Sequence, residues 1–518
     1  MKLNYKRTIL VGFAFFLISA FWQAYDATIP VILTNKFGMS QSWSGVIMAL
    51  DNILAVFMLP LFGALSDKCS TRVGKRTPFI TIGTAVAAVA LVALSFVDAA
   101  QLKNISDVSA IDDPAALAVV YDAKADTPLQ TPEGKEFVLS EIFTKEEFTQ
   151  ITCKVVNKET GKAETNRDYT NYAAPARQSY VADQTAANAT PLILFVALLL
   201  VVLVAMATFR SPAVALMPDV TIKPLRSKAN AVINLMGTAG GILVLVLGMV
   251  FATSAVENAM MRYTVYYSVI AGIMLGALIL FLLTVREPAW SRQMAQDSIR
   301  LGIEEQEPAD TKEKRSLSSA EKRSLILILL SIALWYFGYN AVTSKYSVYA
   351  TNILGKDYNT TMLLAQAAAI VAYIPAGMVA SKIGRKKTIM TGVVMLTTAF
   401  GVAAFMRSSS PTWLMNMMFA LAGIAWATIN VNSFPMVVEM CSGADIGKYT
   451  GYYYTASMAA QIATPMLSGF LMDHIAETIL FPYASIFVAL AFVTMFFVMH
   501  GDNKVIAKQG LEAFDTDD

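Results

Sequence analysis

The chain has 518 residues, of which 56% are hydrophobic and only 15% charged, with a mean hydropathy of +0.52 and a formal net charge of +2. A soluble domain averages roughly 45–50% apolar and about 25% charged, so this composition calls for a bilayer as the main solvent. Near-neutrality gives no handle for nucleic acid, and three cysteines and two histidines without ligand spacing exclude a zinc centre, a metal cofactor site or a disulfide framework.

The basic start MKLNYKR leads into an apolar run longer than a signal-peptide core and without a small-residue cleavage site, which reads as a retained first membrane helix. A spanning helix takes about 20 mostly apolar residues. Six such segments are predicted at 8–33, 41–65, 79–97, 190–217, 229–252 and 263–284. Six more follow at 325–350, 359–381, 388–406, 411–437, 449–472 and 479–499. The expected fold is an all-α membrane protein of twelve transmembrane helices. Orientation follows from basic residues in short loops. Lys68, Arg72, Lys75, Arg76, Arg210, Lys223, Arg226, Lys228, Lys382, Arg385, Lys386 and Lys387 fall on one side, against Lys36, Arg262, Lys356 and Arg407 on the other. Both termini are therefore expected in the cytoplasm, in a multi-pass protein of the cell membrane.

Two segments are too polar to span. Residues 98–190 are expected outside, as a small ordered domain or tethered loop, and 285–324 as a cytoplasmic linker. That leaves 1–97 with 191–284 as an N-terminal bundle, 325–500 as a C-terminal bundle and 501–518 as a cytoplasmic tail. An internal repeat supports the division. LISAFWQAYDAT and LSIALWYFGYNAVT align Asp26 with Asn340 at an offset of 314, and Pro60 with Pro375 at 315. Beyond the outer segment the offset drops to 220, which aligns Asp219 with Glu439 and Lys228 with Lys448. The drop matches the length of 98–190, so two pseudo-symmetric six-helix halves, one carrying an insertion between its third and fourth helices, account for it. Such repeats are the mark of carriers that rock two bundles about a midplane site.

Candidate site residues are the polar ones inside these helices. Asp26 lies near the middle of the first span, where a carboxylate costs about 2.5–3.5 kcal/mol on insertion scales. A buried acid that is neutral when dry and charged when wetted has the chemistry proton coupling needs. Gln23 shares its face and Trp22 precedes it by a turn; an amide, an acid and a flat ring suit a sugar's hydroxyls and C–H faces. Asp51 is a second coupling candidate, with Asn52 beside it, and pairs in expectation with Lys345 unless that lysine snorkels to the interface. The seventh span adds Trp335, Tyr339 and Asn340, and the tenth adds Trp426, Asn430, Asn432 and Ser433. The fifth carries Asn230, Asn234 and Thr238 at steps of four, and the eleventh Tyr453, Ser457 and Gln461. Polar stripes also bind helices together; four of them on corresponding helices point to a shared cavity. Asp219 and Glu439 read as helix-end or gate residues. In the loop GALSDKCSTRVGKRTPF, Gly63 and Gly74 permit close packing and a tight turn, while Asp67 facing Arg72, Lys75 and Arg76 forms a candidate latch at the seam between the halves. Gly384, Arg385 and Lys386 form its second-half copy.

That loop, together with RSPAVALMPDVTIKPLRSKANAVINLMG and GKYTGYYYTASMAAQIATPMLSGFLMD, resembles the major facilitator superfamily. More narrowly it resembles its sucrose-transporter-like and glycoside–pentoside–hexuronide:cation symporters. The resemblance covers most of the chain except 98–190. It implies uptake of a sugar or glycoside driven by a proton or sodium ion. Where sodium-coupled melibiose-type members carry an aspartate before the proline of the second helix, this chain has Leu59 before Pro60, which turns the expectation toward a proton. Lys382 stands where the first-half loop has Asp67, so the two loops are not equivalent. The expected function is thus proton-coupled symport of a neutral di- or oligosaccharide by alternating access, with no cofactor. An exporter of amphipathic compounds or a non-transporting nutrient sensor are the alternatives. An enzyme is not expected, since no phosphate loop, nucleophile–base pair or metal cluster is present. The oligomeric state and the particular sugar stay open.

Overall fold

A computed structural model describes residues 3–156, 161, 163–222, 225–300, 317–438, 440 and 446–501. The first half opens with α1 (Tyr5–Phe37), α2 (Gln41–Lys68) and α3 (Thr77–Asn104). The insertion follows, with α4 (Pro114–Lys124), a hairpin of β1 (Leu129–Gln130) and β2 (Glu136–Phe137), α5 (Leu139–Ile142), α6 (Lys145–Thr149), a second pair β3 (Lys154–Val156) and β4 (Ala163–Thr165), and α7 (Ala174–Ala187). The half closes with α8 (Thr190–Val220), α9 (Arg226–Val250) and α10 (Thr264–Thr284), and α11 (Glu287–Arg300) starts the linker. The second half comprises α12 (Ser319–Tyr349), α13 (Tyr358–Ile383), α14 (Arg385–Ala403), α15 (Thr412–Val438), α16 (Ile446–His474) and α17 (Leu480–Phe496).

Twelve of these helices are long, and ten are apolar enough over their described residues to cross a membrane. The protein is an integral, multi-pass membrane protein. The exceptions, α14 and α16, start with RKK and carry GKYTGYYYTASMAAQ respectively. Helix ends are set by local chemistry. The Asn4 side chain accepts from Arg7 N–H to start α1, and Gly38, at φ +63, ends it by donating its N–H to Leu33. Proline within the first two positions opens α3 and α8.

The two halves pack alike. In the first, α3 lies against α8 and α10, and α2 against α8; in the second, α14 lies against α15 and α17, and α13 against α15. Each half has its own apolar core. They meet where α2 packs on α16, α9 on α13, and α1 on α12. The α2–α16 crossing is tight. A Cβ on Gly45 would lie 2.0 Å from the Pro465 carbonyl oxygen, and one on Gly469 would lie 2.2 Å from that of Gln41.

The insertion is ordered around a third core that includes Ile105, Leu117, Val120, Leu139, Phe148 and Tyr169. Cys153 belongs to it. Its thiol donates to Asp112, and burial together with that carboxylate pushes the thiol up to about 12, so it packs as an inert side chain. One expected boundary moves. α3 continues beyond 97 to Asn104, because Asp98 and Gln101 on its last turns are satisfied inside the first half.

Candidate functional site

A cavity of about 470 Å³ lies at the seam, walled by α1, α8 and α9 of the first half and α12, α13 and α15 of the second. Polar groups face it from both sides. Trp22, Gln23 and Asp26 come from α1, and Asn234 and Thr238 from α9. Tyr339 and Trp426 come from the second half, their rings stacked 3.6 Å apart at 6°. Gln23 Oε1 accepts from Gln366 Nε2 of α13 at 2.6 Å, a direct bond between the halves inside the cavity. The indole N–H of Trp22 is buried without a hydrogen-bond partner among the described residues.

Seven of the expected site residues therefore converge here: Trp22, Gln23, Asp26, Asn234, Thr238, Tyr339 and Trp426. Others do not. Trp335 is buried in the second-half core, one turn behind Tyr339. Asn340, the repeat mate of Asp26, is outside the lining, and its amide nitrogen is buried without a hydrogen-bond partner among the described residues. Asn430 and Tyr453 are outside the lining as well. Ser433 donates to the Asn430 carbonyl at 3.2 Å and shares a 3.2 Å hydrogen bond with the Tyr453 hydroxyl, which sits 3.5 Å from that of Tyr336. Gln461 is also outside the lining. Asp51 accepts from Asn52 Nδ2 at 2.8 Å. Both are half-buried on α2 outside the lining, but Asp51 is within electrostatic reach of Asp26 and Arg210.

Arg210 is the main correction. Counted above among loop cations, it lies inside α8, lines the cavity and places its guanidinium 5.8 Å from the Trp22 ring. The cavity therefore carries a cation beside the acid Asp26. The signal was available: the span drawn to 217 already put Arg210 two turns inside its end. Gln366 and Thr343 were missed because one amide or hydroxyl in an apolar helix does not stand out without its neighbours.

The two remaining charge expectations also change. Lys345 neither snorkels nor pairs with Asp51. It is 0% exposed, and its Nζ donates across the seam to the Gln41 carbonyl at 2.7 Å. Lys36, counted as a loop residue, is likewise 0% exposed; it donates to both oxygens of Asp98 at 2.6 and 2.7 Å and to the Met261 carbonyl at 2.6 Å.

In the loop after α2, Arg76 bonds Asp67, Ser66 and Asp219. Glu287 of α11 accepts the backbone N–H groups of Lys75, Arg76 and Thr77 at 2.6, 2.9 and 2.9 Å. These carboxylates belong to the first half or the helix leaving it, so the expected latch across the seam is here a brace within one half. Arg72 and the Lys75 side chain are exposed. Gly74, at φ +125, makes the turn against the Glu287 carboxylate, and Gly63 faces Ser211. In the second-half copy, Gly384 at φ +90 joins α13 to α14, Arg385 begins α14, and Lys386 Nζ caps α17 through the carbonyls of Phe496 and Val498 at 2.8 and 2.6 Å. Glu439 and the side chains of Lys228 and Lys448 fall outside the described residues.

At the insertion end the seam is closed. Asp473 of α16 accepts the N–H groups of Gln41 and Ser42, both at 2.7 Å, and so caps α2 from the opposite half. Ser254 donates to Asp357, and Thr253 bonds the Tyr358 hydroxyl at 2.9 Å.

Two bundles of membrane helices related by an internal repeat, with a polar and aromatic cavity at their shared seam, are the architecture of a membrane transporter. The profile of the Major Facilitator Superfamily matches residues 181–372 and 353–513, and that of MFS/sugar transport proteins matches 10–101. The chain belongs to the major facilitator superfamily. A relative, the MFS-type transporter ppzB of Metarhizium rileyi (strain RCEF 4871), is 24% identical over 136 residues, 26% of this chain and 28% of the relative. The match thus spans little more than a quarter of that relative's length. The crystal structure of a D-xylose-proton symporter superposes with a TM-score of 0.56 at 16% identity, covering 96% of this chain and 99% of the other. A bacterial homologue of the iron transporter ferroportin, in an inward-facing state, gives 0.59 at 11% identity, with 96% and 99% covered. Identities this low establish the fold and leave the solute open.

Proposed function

We propose that the protein is a proton-coupled symporter of a neutral sugar, a di- or oligosaccharide or glycoside, with both termini in the cytoplasm. The carrying observation is the charge count around the cavity. Asp51 lies within electrostatic reach of both Asp26 and Arg210, which line the cavity, so the three make a set of two acids and one permanent cation. Fully ionised, the trio bears one net negative charge, which is costly in a low-dielectric setting; holding one proton it is neutral. A carrier whose central cluster is neutral only with a single proton has a reason to cross the membrane loaded. Around it, Gln23, Asn234 and Gln366 offer amide donors and acceptors, and the Tyr339–Trp426 stack offers a flat apolar face, a set that suits a polyhydroxylated ring better than an amphipathic compound. The match to MFS/sugar transport proteins supports the same solute class.

The test is uptake of labelled disaccharides by vesicles at two pH values, with external pH recorded. Sugar-dependent alkalinisation of the outside bears out the reading. Accumulation that follows a sodium gradient instead, or binding without flux, overturns it.

A further inference from the structure

The insertion is fixed to the first half at its root. Gln101 of α3 donates to Thr185, Gln178 Nε2 donates to the Met39 carbonyl at 3.2 Å, and Gly38 at the end of α1 packs on the backbone of Ala182. Its far side rests on the second half. The Pro132 carbonyl accepts the Glu477 N–H at 2.9 Å, in the loop between α16 and α17. Beside it, Gly134 at φ +86 lies so close that a Cβ would sit 2.3 Å from the Ile475 carbonyl oxygen. Glu133 approaches Arg407 at 3.8 Å, and Arg167 Nε donates to Ser408 at 3.2 Å, both in the loop between α14 and α15. Thr165 donates to the Gly355 carbonyl at 3.3 Å, in the loop between α12 and α13. All three loops of the second half at this end are therefore gripped by a segment encoded in the first.

Directly beneath runs the polar seal of the seam. Glu477, whose backbone holds the insertion, has its carboxylate bonded to Asn352 at 3.0 and 3.1 Å and reached by Gln41 Nε2 at 3.5 Å. The cap of Asp473 on α2 and the Lys345–Gln41 bond complete it.

We infer that the insertion is a strap that holds the cavity shut at this end and must release the second half before the cavity can open there. Opening requires α2 to part from α16. A body rooted on one bundle and bonded to three loops of the other cannot follow both. Its root has a buried core and its far footholds are single hydrogen bonds and a half-exposed ion pair, so the footholds give way. They stabilise the closed arrangement alone, and thereby set how often the cavity opens on this side. The inference concerns the gate and holds for any solute.

The test uses the full chain with its three native cysteines replaced by serine and Thr343, which lines the cavity, replaced by cysteine. Labelling by a membrane-impermeant maleimide is applied from the insertion side. Removing side-chain footholds in Glu133→Ala/Thr165→Ala/Arg167→Ala is expected to speed labelling by about three- to tenfold. In a second set, Arg407→Glu is expected to speed it, and the swap Glu133→Arg/Arg407→Glu to bring it back toward the parent. Labelling unchanged in the triple variant overturns the strap. Faster labelling in Arg407→Glu that the swap fails to reverse places the effect within the second half and overturns it equally.

Discussion

Asp26 and Arg210 are single residues whose weight comes from what stands near them. Asp26→Asn fixes that position in its neutral form. We expect it to abolish accumulation against a gradient while exchange of solute across vesicles continues; unchanged accumulation would remove Asp26 from coupling. Arg210→Gln leaves two acids without their cation and is expected to lower uptake by tenfold or more. Asp51→Asn added to it restores a one-acid balance and should recover part of the loss, a non-additivity read from the two single variants and the double. Lys36 and Asp98 make a different case. Both are 0% exposed and lie away from the cavity. Removing one partner strands a buried charge, so Lys36→Met or Asp98→Asn should each cost about 3–5 kcal/mol, and the double replacement Lys36→Met/Asp98→Leu less than either. Thermal unfolding in detergent distinguishes these outcomes. Asp26 was legible from its place in the middle of a span; Arg210, Lys36 and Asp98 were not. Lys36 and Arg210 looked like loop cations because a positive charge near a helix end is the usual signature of a cytoplasmic or external border.

At the scale of elements, the helices were readable and their faces only partly so. Each predicted span coincides with a long helix to within seven residues at either end, because length and apolarity are properties of a continuous stretch. Which side of a helix looks into the cavity depends on its neighbours. Tyr339 and Trp335 are one turn apart on α12, yet only Tyr339 lines the cavity, while Trp335 is buried in the second-half core where α16 and α17 pack on this helix. The stripe on α15 divides likewise, with Trp426 in the cavity and Ser433 bonded to Tyr453 of α16. The α2–α16 contact depends on two glycines that no periodicity singles out. Gly45→Val would drive methyl groups into the Pro465 carbonyl and is expected to keep the insertion end from closing, seen as faster labelling of a cysteine at Thr343 from that side. Gly377, with nothing within 4 Å of a built Cβ, serves as the control: Gly377→Ala should leave labelling unaltered.

Over the whole molecule, the insertion changes what can be removed. Deletion of 98–190 follows from the repeat, since the second half has no such segment. With α3 continuing to Asn104, that deletion takes Asp98 from Lys36 and Gln101 from the Lys36 carbonyl, and should yield a protein that fails to insert or unfolds early. Deletions that begin after Asn104 keep both bonds. They are expected to leave the bundles intact, which detergent size-exclusion profiles would check. The sequence by itself determined the bilayer as solvent, the twelve spans, the doubled half and the place of the insertion, because each of these is written in runs of neighbouring residues or in a constant offset between copies. Only the tertiary structure decided that Arg210 enters the cavity, that Arg76 braces one half rather than latching two, and that the insertion reaches the second half. Those facts depend on the rotation of each helix about its axis and on contacts between residues hundreds of positions apart, where no local pattern constrains the pairing.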